Sequence, residues 1–112
     1  MNFSIDNPIQ CLFNYENANI EKIYWVDGGN GTVKRANLDG SSVQTIISGL
    51  YPNGIAVDTD NNKIYVADYE EHGGTIKKAN LDGTGMQTIA NANEPTGITV
   101  DPIHSKIYWV DN

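Results

Sequence analysis

Shifted by 43 residues, the sequence falls back onto itself. GTVKRANLDGSSVQTII (Gly31 to Ile47) lands on GTIKKANLDGTGMQTIA (Gly74 to Ala90), with eleven of seventeen positions identical. The same shift lays NGIAVDTDNNKIYVAD (Asn53 to Asp68) on TGITVDPIHSKIYWVD (Thr96 to Asp111), and EKIYWVD (Glu21 to Asp27) is a third copy offset by 41. The two-residue difference falls in one loop, since Asp27 to Gly31 is four steps and Asp68 to Gly74 is six. A period of about 40 to 45 residues marks stacked supersecondary units, and four strands per unit is the propeller version.

Each unit reads as four short strands. Gly54 to Asp58 is Gly-led and apolar, Lys63 to Ala67 is rich in β-branched and aromatic residues, and Thr75 to Ala79 is mixed. Met86 to Ala90 follows Asn80-Leu81-Asp82-Gly83, whose Asp-Gly signals a hairpin turn. No ten-residue stretch has helical apolar spacing, so the chain is expected to be all-β with antiparallel four-stranded blades. Ile64, Tyr65, Val66 and Ala67 are apolar in succession, which requires both faces of that strand to be covered, as they are when sheets stack.

IYWVD (Ile23 to Asp27), IYVAD (Ile64 to Asp68) and IYWVD (Ile107 to Asp111) resemble the YWTD repeat of the low-density lipoprotein receptor family. GIAVD/GITVD and ANLDG also match that family's blade, so the likeness spans most of the chain. It implies a six-bladed β-propeller in which Asp27, Asp68 and Asp111 are structural, tying backbone amides across blades. Tyr24, Trp25, Tyr65, Tyr108 and Trp109 complete the structural motif, with the tyrosines read as buried inter-blade packing. The motif's Thr is Val26, Ala67 and Val110 here, and its Trp is Val66 in the middle copy.

Six blades of about 43 residues need roughly 250 residues, and the chain has 112. The reading is about two and a half blades: residues 1–8 as a strand of a preceding or composite blade, 9–49 as blade one, 50–92 as blade two and 93–112 as half of blade three. Phe3 to Asp6 reads as an outer strand followed by an inner strand, Pro8 to Tyr15. Alternatively Ser4 to Pro8 is a hairpin and Ile9 to Phe13 an outer strand. The arc is therefore either cut from a longer propeller or closed by self-assembly. A homodimer closing six blades is preferred, and a trimer of two-blade units comes second.

The side chains narrow the chemistry. Fourteen acidic against seven basic residues give a net charge of −7, which repels phosphate and disfavours nucleic acid and anionic membrane surfaces. No apolar stretch approaches the roughly 20 residues that cross a bilayer, and MNFSIDNPIQ has neither the basic nor the apolar region of an export signal. Cys11 is the single cysteine, so no internal disulfide is possible, and its apolar run PIQCLF reads as packing. His72 and His104 have no second ligand at metal spacing, and no metal or cofactor is expected. The recurrence of Asp58, Asp101, Asp27, Asp68 and Asp111 at every repeat reads as turn chemistry. Asn2-Phe3-Ser4 and Asn30-Gly31-Thr32 are glycosylation sequons.

Binding sites on such folds sit on loops, here Ser48 to Asn53 and Asn91 to Thr96. Tyr51 and Tyr69 do not recur between repeats, and with Glu70, Glu71 and His72 they form the expected surface patch. The string YPNG (Tyr51 to Gly54) resembles the Pro-Asn-Gly of six-bladed gluconolactonase-type enzymes, which implies Asn53 as a calcium ligand, with Glu94 the nearest carboxylate near its counterpart Thr96. The expected function is a non-enzymatic scaffold binding a protein or extracellular ligand, located outside the cell or at its surface by the resemblance. The alternatives are a calcium-dependent lactonase or esterase and a sugar-binding propeller, which requires recurring exposed aromatics.

Overall fold

The computed structural model describes residues 21–112. The expectations for the first strand, Cys11 and the Asn2 sequon lie outside that range. Nine strands follow one another: β1 (Lys22–Asp27), β2 (Thr32–Asn37), β3 (Gln44–Ile47), β4 (Pro52–Asp58), β5 (Lys63–Glu70), β6 (Gly73–Asn80), β7 (Gln87–Ala92), β8 (Pro95–Asp101) and β9 (Lys106–Asp111). They form three antiparallel meanders, β1-β2-β3, β4-β5-β6-β7 and β8-β9, with no helix among the described residues. This is the all-β, four-stranded-blade architecture that the repeat implies, with about two blades' worth of strands.

The sheets lie face to face. Val33 and Ile47 of the first meet Ile64, Val66 and Ala79 of the second, with Leu50 and Leu81 closing the cluster. Fully burying an aliphatic side chain of this size contributes about 1.5 to 3 kcal/mol, so this seam is the main adhesive between neighbouring sheets. β5 is sealed on both sides, with Ile64, Val66 and Ala67 all at or below 1% exposure. That is why its apolar residues run consecutively.

Two close approaches set the spacing between sheets. A Cβ on Gly54 would stand 2.2 Å from the Thr96 carbonyl oxygen of the next sheet, and one on Gly83 would stand 2.2 Å from the Ile46 oxygen of the previous one. Backbone touches backbone there, so only glycine fits. Gly83 also closes a turn, its N–H donating to the Asn80 carbonyl at 2.9 Å with φ at +89°. Gly40 repeats that geometry on Asn37. The Asp-Gly pair is thus the second half of a four-residue turn, and Asp39 and Asp82 brace it by accepting from Ser41 and Thr84.

The two-residue difference between the repeats does not lengthen a loop. It adds two ladder pairs, Tyr69↔Gly74 and Glu70↔Gly73, leaving Glu71 and His72 alone at the tip. In the first sheet the last pair, Asp27↔Thr32, is spanned by the four residues 28–31. The second hairpin therefore projects further, carrying its acidic residues with it.

Candidate functional site

The crossover loop from β3 into β4 passes under the end of β5, where Asp68 captures it. The Tyr51 N–H donates to Asp68 Oδ1 at 2.7 Å, and the Tyr69 N–H donates to the Tyr51 carbonyl at 2.9 Å. Asp68 is 1% exposed, and its second oxygen lies 3.5 Å from Lys77 Nζ, which also donates to Thr75 and Thr88 hydroxyls. The carboxylate thus ties the crossover loop to β6, with an amide on one oxygen and a cation beside the other, the pairing that a buried polar group requires. Asp111 repeats the capture one blade on, accepting from the Asn93 and Glu94 amides at 3.0 to 3.2 Å. Asp27 instead accepts from the backbone and side-chain amides of Asn30, and the side-chain bond chiefly holds its carboxyl below the ordinary 3.8.

This scaffold brings most of the sequence-derived patch together. Tyr51 is 67% exposed and Tyr69 36%, and the backbone bond holds the two residues side by side on the rim. Glu70, Glu71 and His72 line an adjoining shallow cleft of about 440 Å³, with Asn91 and Ala92 as its far wall. On the other side of Tyr51 the Gly28–Gly31 turn forms a second cleft. Two exposed aromatic rings beside two carboxylates make a surface suited to lysine and arginine side chains, through ring faces and charge.

Asn53 and Glu94 stand apart from this patch. The Asn53 side-chain amide donates to the Pro95 carbonyl at 3.2 Å, stitching β4 to β8, and the Glu94 backbone belongs to the Asp111 clamp. Among the described residues there is no group of three His, Cys, Asp or Glu that could hold a metal ion. Asp58 and Asp101 close their own β-turns, Asp58 on Asn61 and Asp101 on Ile103 and His104.

The motif tyrosines do not share one environment. Tyr24 and Tyr65 are half-buried, and burial, with the Asp58 charge second, pushes the Tyr65 phenol above its ordinary 10.0. Tyr108 is 57% exposed, which corrects the expectation of burial: no described sheet lies over it. Of the two motif tryptophans, Trp25 and Trp109 are both half-buried. Sequence reasoning missed Lys77, although its identity with Lys34 in the repeat was a usable signal.

Stacked antiparallel meanders, joined by crossovers that an aspartate clamps at the rim, define an arc of a β-propeller. Residues 21–59 match the family model for low-density lipoprotein receptor repeat class B, and residues 50–73 match the NHL repeat model. Residues 21–59 are thus similar to the YWTD-type repeat, and the described residues as a whole build antiparallel blades of a β-propeller. A human low-density lipoprotein receptor-related protein 5-like protein is 40% identical over 48 residues, covering 40% of this chain and 19% of that protein. The muzzle protein of Bacteroides phage crAss001 is 60% identical over 30 residues, covering 27% of this chain and 2% of that protein. A chain of a solved nidogen/laminin complex superposes with a TM-score of 0.77 at 28% identity, over 81% of this chain and 36% of that one. The chain thus spans much less than two thirds of each of these relatives. No helix among the described residues is long and apolar enough to cross a membrane.

Proposed function

We propose that this chain is a non-enzymatic scaffold that binds a basic protein partner through the Tyr51–Tyr69–Glu70–Glu71 rim, outside the cell or at its surface. The observation that carries the reading is the pair of exposed tyrosines fixed by main-chain hydrogen bonding beside an acidic hairpin tip. Rigid aromatic anchors lose little freedom on binding, and the net charge of −7 favours approach of a cationic surface. The solved nidogen/laminin complex, one chain of which shares this fold, supports the class of function. A second copy completing the ring is part of the same proposal, supported by the repeat count.

Fluorescence anisotropy with a labelled lysine- and arginine-rich peptide tests the rim. Saturable binding that falls with salt and is lost in the Tyr51→Ala/Tyr69→Ala variant is the expected result. Binding untouched by that double substitution rules the rim out. Sedimentation tests ring completion, and a stable monomer at micromolar concentration removes that part. Calcium titration during thermal unfolding, together with a lactone hydrolysis assay, tests the non-enzymatic assignment. A saturable stability gain with turnover would replace the scaffold by a hydrolase.

A further inference from the structure

We propose that Asn30, at the tip of the β1–β2 hairpin, is a site of spontaneous deamidation, and that its conversion unlatches the crossover loop at Leu50. The chain contains two Asn-Gly pairs, Asn30-Gly31 and Asn53-Gly54, and the fold treats them oppositely. An asparagine followed by glycine cyclises most readily, because no Cβ on the following residue shields its backbone nitrogen from the side-chain carbonyl carbon. The surroundings of each pair decide which one can react.

Asn30 is exposed in the turn 28–31, where Gly31 takes φ +69°. Among the described residues the Gly31 N–H donates no hydrogen bond, and it lies outside the β1–β2 ladder, which ends at the Asp27↔Thr32 pair. The Asn30 side chain is restrained by one bond at the surface, its amide donating to Asp27 Oδ2 at 2.9 Å. Asn53 has neither freedom. It lies within β4, where Gly54 stands opposite Ala67 in the ladder and is pressed against the Thr96 carbonyl of the next sheet. Its side-chain amide donates to the carbonyl of the buried Pro95 at 3.2 Å. Ring closure at Asn53 requires that ladder to open first, so its rate is scaled down by the small fraction of time the strand is open.

The reaction balances with water as its only co-reactant. The Gly31 nitrogen attacks the Asn30 Cγ and forms an N–C bond, the Cγ–Nδ2 bond breaks, and the proton from the Gly31 nitrogen goes with the departing ammonia, closing a succinimide ring. Water then opens either carbonyl of the ring, leaving aspartate or, with the main chain rerouted through Cβ and Cγ, isoaspartate. Nothing is oxidised or reduced.

The consequences fall on two contacts. The Asn30 side chain is the donor that chiefly holds the Asp27 carboxyl below its ordinary value, and after conversion a second carboxylate faces it instead. Gly31 accepts from the Leu50 N–H at 3.1 Å, and a Cβ on Gly31 would meet the Leu50 oxygen at 2.5 Å, so turn and crossover touch with no slack. The added main-chain carbon of isoaspartate shifts Gly31 out of that fit and releases Leu50, the residue before Tyr51.

The test is ageing of the folded chain in mildly alkaline buffer, followed by trypsin digestion and mass spectrometry. Cleavage at Lys34 and Arg35 places the two asparagines in separate peptides. We expect the Asn30 peptide to gain the mass of an amide-to-acid exchange, with isoaspartate as the main product, at least about tenfold faster than the Asn53 peptide. In urea, where both segments are open, the two rates should converge. The converted fraction should show faster hydrogen exchange at the Leu50 amide, and the Asn30→Gln variant, whose longer side chain disfavours ring closure, should show neither change. An Asn30 peptide left intact over the period in which unfolded chain converts overturns the site, as does conversion of Asn53 at an equal rate in the folded protein. Unaltered Leu50 protection in the converted fraction overturns the unlatching. Neither readout involves a binding partner, so this site and the rim can fail separately.

Discussion

Asp68 is the residue on which the rim depends, because two groups from other elements converge on its carboxylate: the Tyr51 amide and the Lys77 ammonium. Removing one partner of a buried ion pair leaves the other charge uncompensated, so Asp68→Ala is expected to cost about 3 to 5 kcal/mol by urea denaturation. Asp68→Asn, which keeps an acceptor for the amide, should cost less. The turn aspartates respond to pH instead. The Ser41 and Thr84 hydroxyls and amides hold Asp39 and Asp82 below the ordinary 3.8, which means the folded chain keeps these carboxyls ionised to lower pH than the unfolded chain does. Their contribution is complete above pH 3.8 and is lost as pH falls through the depressed folded values. Alanine at both positions should flatten the acid limb of the stability curve below that pH. The recurring aspartates were legible from the repeat as structural residues, but which amides each one holds was not, since those partners come from loops 17 to 18 residues away.

Among the elements, β5 is the one sealed on both faces, and its interior carries the seam with the first sheet. Ile64→Ala should therefore cost about 2 to 5 kcal/mol, measurable as a shift in the urea midpoint. At the hairpin joining β5 to β6, a Cβ on Gly74 would stand 2.4 Å from the Pro95 Cδ and 2.9 Å from the Asp68 carbonyl oxygen. Gly74→Ala is expected to lose about 1 to 3 kcal/mol by overpacking, with Tyr69 and the rim displaced at the same time. Strand identity followed from β-branched and aromatic runs and from the turn signals, because those depend on neighbours a few residues apart. The extra length of the β5–β6 hairpin did not: a gap in the repeat alignment reads the same whether two residues join a loop or a ladder, and only pairing across the hairpin decides it.

The described molecule is an arc, 58 × 32 × 21 Å in extent, whose terminal surfaces differ from its internal seam. Gly54 is pressed against the next sheet, while its repeat equivalent Gly97 has nothing within 4 Å of a Cβ. Gly54→Ala should therefore destabilise the chain by about 1 to 3 kcal/mol, and Gly97→Ala should leave its melting temperature nearly unchanged. The seam was foreseeable from consecutive apolar residues in β5. The exposure of Tyr108 was not, because the sequence of β9 is that of a covered strand and says nothing of whether the cover is present. The second sheet is entered along β4 and left along β7, the opposite edges of its four-stranded ladder, with a clamped crossover on either side. Tension applied through the chain ends would therefore act across the hydrogen-bond ladders and open them one rung at a time like a zip, so that in a single-molecule pulling experiment each blade would give way separately and at low force.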